Sequence, residues 1–242
     1  MSAPAAAAVS IRAASVGYDG AAVVDAIDVR LDGGQLAVLM GTNGCGKSTL
    51  LKTLAGLIAP VDGEVRVLGA APGTQPVEVA YLSQHPASSP TMPLSVADVV
   101  AMGRFARLGL LGRFGPADKA ACAASMERMG ITDLAGRSMM ELSGGQRQRT
   151  FLAQALAREA SLLLVDEPTA GLDPASRALF DTAIADERAR GAAVVMATHD
   201  LSDAESADLA VLLAHRVIAA GPPAEVLTDA NLRDCYGFTE QH

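Results

Sequence analysis

The 242-residue sequence is half apolar and carries 19 basic against 27 acidic side chains, a net charge of −8. That length supports one large domain, or a core with an inserted subdomain, with ample apolar material for its interior, and the acidic balance without a basic stripe argues against a general nucleic-acid binder. Cys45, Cys122 and Cys235 are too scattered for a metal or disulfide framework, as expected of a reducing, cytoplasmic location; no signal peptide or membrane span is expected either, because the N-terminus lacks a basic region and no apolar run reaches ~18 residues.

Residues 9–31 alternate and turn, and read as antiparallel hairpin-like strands broken at Gly17-Tyr18-Asp19-Gly20 and closed by Asp32-Gly33-Gly34. Tyr18, in that turn, is either a packing residue or a ring able to stack on a nucleotide base. The apolar run 36–40 reads as a buried strand and residues 50–54 as the first turns of a helix. Between them lies Gly41-Thr42-Asn43-Gly44-Cys45-Gly46-Lys47-Ser48-Thr49. Strand, glycine loop and helix in that order make G-x-x-x-x-G-K-[ST] a phosphate-binding loop. Gly41, Gly44 and Gly46 let consecutive N–H groups converge on one anion, and the helix N-terminus adds its partial positive charge. Lys47 is expected on the outer phosphates, Ser48 on Mg²⁺ and Thr49 on the α-phosphate.

Residues 56–63 read as a turn, 64–68 as a strand, and 77–82 as another strand ending at Ser83-Gln84-His85-Pro86. Ser95 and Asp98 form a capping-box pattern that starts a helix near Val96; Pro116 after Gly115 starts a second, which runs to Met129 and stops at Gly130. Residues 87–141 therefore read as a helical subdomain set into an α/β core made of residues 1–86 and 142–242. Apolar strands return at 162–165, 192–196 and 209–213, as a parallel sheet covered on both faces requires.

Asp166 closes one of these strands, where a carboxylate can meet a cation on a phosphate loop, and Glu167 follows at the position for an attacking water. Leu142-Ser143-Gly144-Gly145-Gln146 runs into a helix expected over 147–158 and offers a second set of backbone donors at a helix N-terminus. If the two anion sites lie on opposite sides of the chain, one nucleotide cannot use both, but two copies in a closed head-to-tail dimer can.

The Leu-Ser-Gly-Gly-Gln pentapeptide is the specific mark of a resemblance to the nucleotide-binding subunit of ATP-binding cassette (ABC) transporters, which extends over nearly the whole chain. The resemblance implies a P-loop, RecA-like α/β fold with a mostly parallel sheet, an N-terminal antiparallel β-subdomain and an inserted α-helical subdomain, all within a single ATPase domain over 1–242. It implies that Tyr18 stacks on adenine, that residues 41–49 are Walker A, and that Gln84 touches Mg²⁺ and senses the γ-phosphate. Ser143, Gly144, Gly145 and Gln146 would act across an ATP-bound homodimer, Asp166 and Glu167 would be the metal carboxylate and the catalytic glutamate, Gly171-Leu172-Asp173 the D-loop and His199 the switch histidine. His199 by itself lies just past a strand end, on the side where a doubly wound sheet binds ligands, and reads equally as a structural or a functional histidine.

Residues 99–114, with Arg104, Arg107 and Arg113, lie where such subunits dock a multi-spanning permease, and look most like cassettes of manganese/zinc importers. Iron-siderophore, haem or cobalamin uptake is the alternative. A soluble ABC ATPase acting on DNA or ribosomes is a further reading, opposed by the absence of a long coiled coil or a second cassette, and a generic P-loop kinase leaves residues 142–146 unexplained. The importer reading places the chain at the cytoplasmic face of the membrane, with an extracytoplasmic substrate-binding protein as an indirect partner, no nucleic-acid partner, and only a short tail after Phe238. Cys45 stands at a place in the phosphate loop where any small residue fits; alternatively, if its sulfur is exposed in the empty site, it is the fastest of the three cysteines to alkylate and MgATP protects it.

Overall fold

The structure is a computed structural model that describes residues 7–83, 94–109, 112–168 and 172–237. Two sheets organise it. β1 (Val9–Tyr18), β2 (Ala21–Leu31) and β4 (Pro60–Val67) form an antiparallel sheet in the order β2-β1-β4. β3 (Leu36–Met40), β5 (Val79–Leu82), β6 (Leu162–Asp166), β7 (Ala193–Ala197), β8 (Leu209–Leu213) and β9 (Val217–Gly221) form the second, in the order β5-β6-β7-β3-β8-β9. Its first five strands are parallel and β9 runs antiparallel at the edge.

The apolar runs become strands of this second sheet because both of its faces are covered. Every residue of β3, β6 and β7 is buried. Successive side chains point to opposite faces, so Val38, Leu163 and Val194 enter one core while Leu39, Leu164 and Val195 enter the other. The second core is closed by α1 (Lys47–Leu54) and the antiparallel sheet, through residues such as Leu50, Ile27 and Val65.

The first core is closed by helices. α2 (Val96–Met102), the short α3 (Phe105–Leu108) and α4 (Pro116–Arg128) come between β5 and α5 (Gly144–Ala157), and α6 (Pro174–Ala189) and α7 (Leu201–Glu205) follow β6 and β7. The short α8 (Pro223–Val226) and α9 (Asp229–Tyr236) end the described chain. Val96, Met129, Leu152 and Phe180 carry these helices onto the sheet. The Ser95–Asp98 capping box is formed, with the Ser95 hydroxyl accepting from the Asp98 N–H at 3.2 Å. Among the described residues, no helix is long and apolar enough to cross a membrane.

Three local expectations change. The segment read as a turn up to Gly63 already belongs to β4, whose Pro60 pairs with Val16. Its turn-like Asp62-Gly63 lies at a register shift against β1, with Gly63 at φ +77° and the place of its missing side chain 2.3 Å from the Ala13 carbonyl oxygen; a bulge needs a glycine for the same reasons a turn does. The helix expected from residue 147 begins at Gly144, because the Ser143 hydroxyl caps it. β9 was not expected at all: Val217-Ile218-Ala219-Ala220-Gly221 is half-exposed and too small-residued to read as a strand.

Candidate functional site

The C-terminal ends of β6, β7 and β3 finish level with one another. Asp166 pairs with Ala197, the Glu167 N–H donates to the Ala197 carbonyl at 2.9 Å, and the Thr198 N–H donates to the Leu39 carbonyl at 3.1 Å. That register brings Asp166, Glu167, Thr198 and the start of the 41–49 loop to one edge of the sheet, where open α/β folds place their ligand crevice. Glu167 holds its turn at φ +48°, a conformation that costs a non-glycine residue strain and is tolerated where the surroundings fix it.

A cleft of about 320 Å³ opens at this edge, lined by Asn43, Gly44, Gly46, Lys47, Ser48, Thr49 and Glu167. Two glycines shape it differently. At Gly46, φ is +109° and a side chain would strike Val24 of β2 at 2.1 Å, so the hairpin packs directly behind the loop. At Gly44, φ is +83° and a side chain would point into open space, leaving room for something other than protein. Lys47 is 5% exposed and its Nζ donates to the carbonyls of Gly41 (2.7 Å) and Thr42 (3.1 Å). The ammonium is thereby held at the loop rather than in bulk water.

Asp166 is 3% exposed; burial raises its carboxyl pKa above the usual range, opposed by the Ser48 hydroxyl and the Lys47 charge. Its Oδ2 accepts from the Tyr81 hydroxyl at 3.5 Å, while Oδ1 is buried without a hydrogen-bond partner. Burial, and then Asp166, keep the Tyr81 phenol protonated far above its ordinary range.

The second glycine stretch forms a complete capping box. The Ser143 hydroxyl accepts from the Gln146 N–H (3.2 Å), and Gln146 Oε1 accepts from the Ser143 N–H (3.0 Å). Gln146 thus turns back on the helix start, while Ser143 and Gly144 are exposed and side chains added at Gly144 or Gly145 would meet nothing within 4 Å. None of the four lines the cleft. Tyr18 is 44% exposed at the end of β1, with its hydroxyl 3.4 Å from Lys52 Nζ. His199 is exposed beyond β7 and does not line the cleft. Gln84 and Gly171 lie outside the described residues.

The sequence matches the ABC transporter family over residues 24–170. The chain belongs to the ABC transporter family. This ABC ATPase is 38% identical, over 92% of its length and 90% of the other chain, to the manganese transport system ATP-binding protein MntB of Bacillus subtilis. It is 38% identical, over 95% and 87%, to the zinc transport system ATP-binding protein TroB of Treponema pallidum. A similar fold occurs in a metal-chelate type ABC transporter in an inward-facing conformation, with TM-score 0.81 and 29% identity over 95% of this chain and 89% of that one.

Two expectations about the ABC ATPase do not survive its structure. Cys45 is 1% exposed, its sulfur tucked beneath the loop towards Gly41 rather than into the cleft, so the thiol is shielded even with the cleft open. Arg104 is 7% exposed and donates through Nε to Asp118 (2.9 Å) and through Nη1 to Glu159 (2.6 Å) and the Ala157 carbonyl (2.9 Å); it stitches α3 to α4 and the end of α5 rather than standing on the surface. Arg107 donates to the carbonyls of Arg158 and Glu159 yet stays exposed, and it shares the surface of this stretch with Arg113, Phe105 and Phe114. Sequence reasoning missed Tyr81, whose signal was a polar-tipped ring in an otherwise aliphatic strand, and Gln148, which donates to the Pro168 carbonyl (3.1 Å) beside Glu167.

Proposed function

We propose that this ATPase energises an importer of a metal ion of the manganese or zinc kind, from the cytoplasmic face of the membrane. The observation that carries the hydrolytic part is the cleft in which Lys47, Ser48 and Thr49 face Glu167, beside a buried Asp166 oxygen without a partner. An unpartnered buried carboxylate oxygen is costly unless a cation completes it, and Ser48 is the neighbouring hydroxyl, so the pair fits Mg²⁺, with Gln84 as a further ligand. Bound there, Mg²⁺ would supply charge neutralisation on the β- and γ-phosphates.

The chain's own residues do the rest. Backbone donors from Gly44 to Thr49 cradle the phosphates, Lys47 leaves its loop carbonyls for the outer phosphates, and Tyr18 stacks on the base. Glu167 orients the attacking water and takes its proton as ADP and phosphate separate, while His199 contacts the γ-phosphate. Ser143, Gly144 and Gly145 serve the nucleotide of a second copy, which agrees with the exposure of Ser143 and Gly144 and with the absence of all three from the cleft of their own chain. Phe105, Arg113 and Phe114 face a permease, which receives cargo from an extracytoplasmic binding protein.

Support for the metal comes from the relatives, two of them named for manganese and zinc transport. A chelated metal is the second reading, because a Yersinia pestis relative, 38% identical over 88% of this chain and 73% of the other, is named for chelated iron transport. Elemental analysis of cells expressing the wild type or Glu167→Gln with the native permease tests the assignment. Manganese or zinc accumulation should be lost in the variant; unchanged metal content with lost uptake of a ferric chelate would replace the first reading by the second.

A further inference from the structure

Arg177 belongs to none of the motifs above. It lies in the first turns of α6, the helix capped by Asp173, whose side chain accepts from the Ser176 N–H at 3.0 Å. Its guanidinium is shared among three carboxylates: Nε donates to Asp181 on the same helix (2.9 Å), Nη1 to Asp200 (3.2 Å) and Nη2 to Asp203. Asp200 and Asp203 belong to the segment that contains His199. Asp203 is 4% exposed, and its second oxygen accepts from the Thr198 hydroxyl at 2.9 Å; the same hydroxyl oxygen accepts from the Asp200 N–H at 3.1 Å. Thr198 and Asp200, the two neighbours of His199, are therefore knotted into one cluster whose cation comes from α6, while the imidazole itself stays exposed. A planar guanidinium can hold several carboxylates in fixed directions at once, which an ammonium cannot.

We propose that Arg177 is a positioning residue for hydrolysis: from α6 it clamps Asp200 and Asp203, fixes the backbone on both sides of His199, and so sets the imidazole against the γ-phosphate. The inference rests on the reading of His199 given above. It also ties the placement of His199 to the Leu172-Asp173 end of α6, so that a displacement of that end moves the histidine.

Steady-state and single-turnover hydrolysis by the full chain with MgATP, binding of a fluorescent ATP analogue, and the melting temperature test this on Arg177→Met, Arg177→Lys, His199→Ala and the Arg177→Met/His199→Ala double variant. Arg177→Met should lower kcat by about 10- to 100-fold, the scale of a misplaced group, while ATP affinity stays within about twofold. Arg177→Lys should recover part of the rate. In the His199→Ala background, Arg177→Met should cost nothing further. Because Asp203 would be left buried and unpaired, Arg177→Met/Asp203→Asn provides a second variant that keeps an acceptor for Thr198, and it should show the same split between rate and affinity. Parallel loss of rate and affinity, or a full additional loss in the His199→Ala background, overturns the proposal. Normal turnover by His199→Ala would instead overturn the reading of His199, whereas an impaired His199→Ala beside a fully active Arg177→Met would remove the role of Arg177 alone.

Discussion

The Cys45 side chain sits inside the phosphate loop yet lies buried against Gly41, off the cleft lining. Its position in the motif suggested a thiol activated by the same donors that hold phosphate, but the side chain points away from the cleft. The other cysteines are also buried, and burial, then the neighbouring Cys45, pushes the Cys235 thiol up to about 11. Burial raises Cys122 as well. Since the thiolate is the nucleophile, N-ethylmaleimide should label all three slowly in the native chain, with no preference for Cys45 and little change on adding MgATP, and quickly in denaturant. Mass-spectrometric mapping over time checks this; rapid, MgATP-sensitive labelling of Cys45 would show that the loop turns inside out in solution.

At the scale of elements, two helix starts carry contrasting predictions. α5 is capped by its own box and needs neither ligand nor partner to form, so Ser143→Arg should leave ATP binding by the isolated chain nearly intact. It loses one N-cap, about 1 kcal/mol of stability, while placing a bulky cation where a second copy's nucleotide would lie and abolishing turnover. Comparing binding by fluorescence with phosphate release separates the two effects, and equal losses would mean that the stretch acts within one chain. Arg104 is the opposite case. Arg104→Ala removes the cation between Asp118, Glu159 and a helix-end carbonyl and leaves a cavity where the enclosed side chain packed, so it should lower stability. Urea titration should register that loss, where a docking role alone would have left stability untouched. The sequence could show Ser143 as a cap because capping is local, within four residues. Even so, the helix was expected only from residue 147, because the glycines were weighed as donors and not as its first turn. The sequence could not show Arg104 as buried, because the residues that enclose it come from α4 and from the far end of α5.

For the whole molecule, the strands and the phosphate loop were legible because an uninterrupted apolar run has few places to go except a doubly covered sheet, and because glycine spacing in such a loop is dictated by backbone geometry. The order of strands was not, and neither was β9, since edge strands of small residues leave little pattern. The head-to-tail pairing remains the largest proposed element of the mechanism, and Glu167→Gln probes it: the variant should bind MgATP, fail to hydrolyse it and elute from gel filtration at the size of a dimer. A monomer that still releases phosphate would remove both Glu167 and the pairing. One feature of the sheet also bears on how the chain is made. β3, which ends in the phosphate loop, has as its two neighbours β7 and β8, and at Gly41 the loop lies so close to the Leu213 carbonyl that a side chain there would come within 2.1 Å of the oxygen. Residues 41–49 leave the ribosome early, yet the strands that hold their base are among the last translated. A nascent chain interrupted before β8 therefore carries the whole nucleotide-binding sequence but lacks one of the two strands that flank β3 and the Leu213 carbonyl against which the loop is seated.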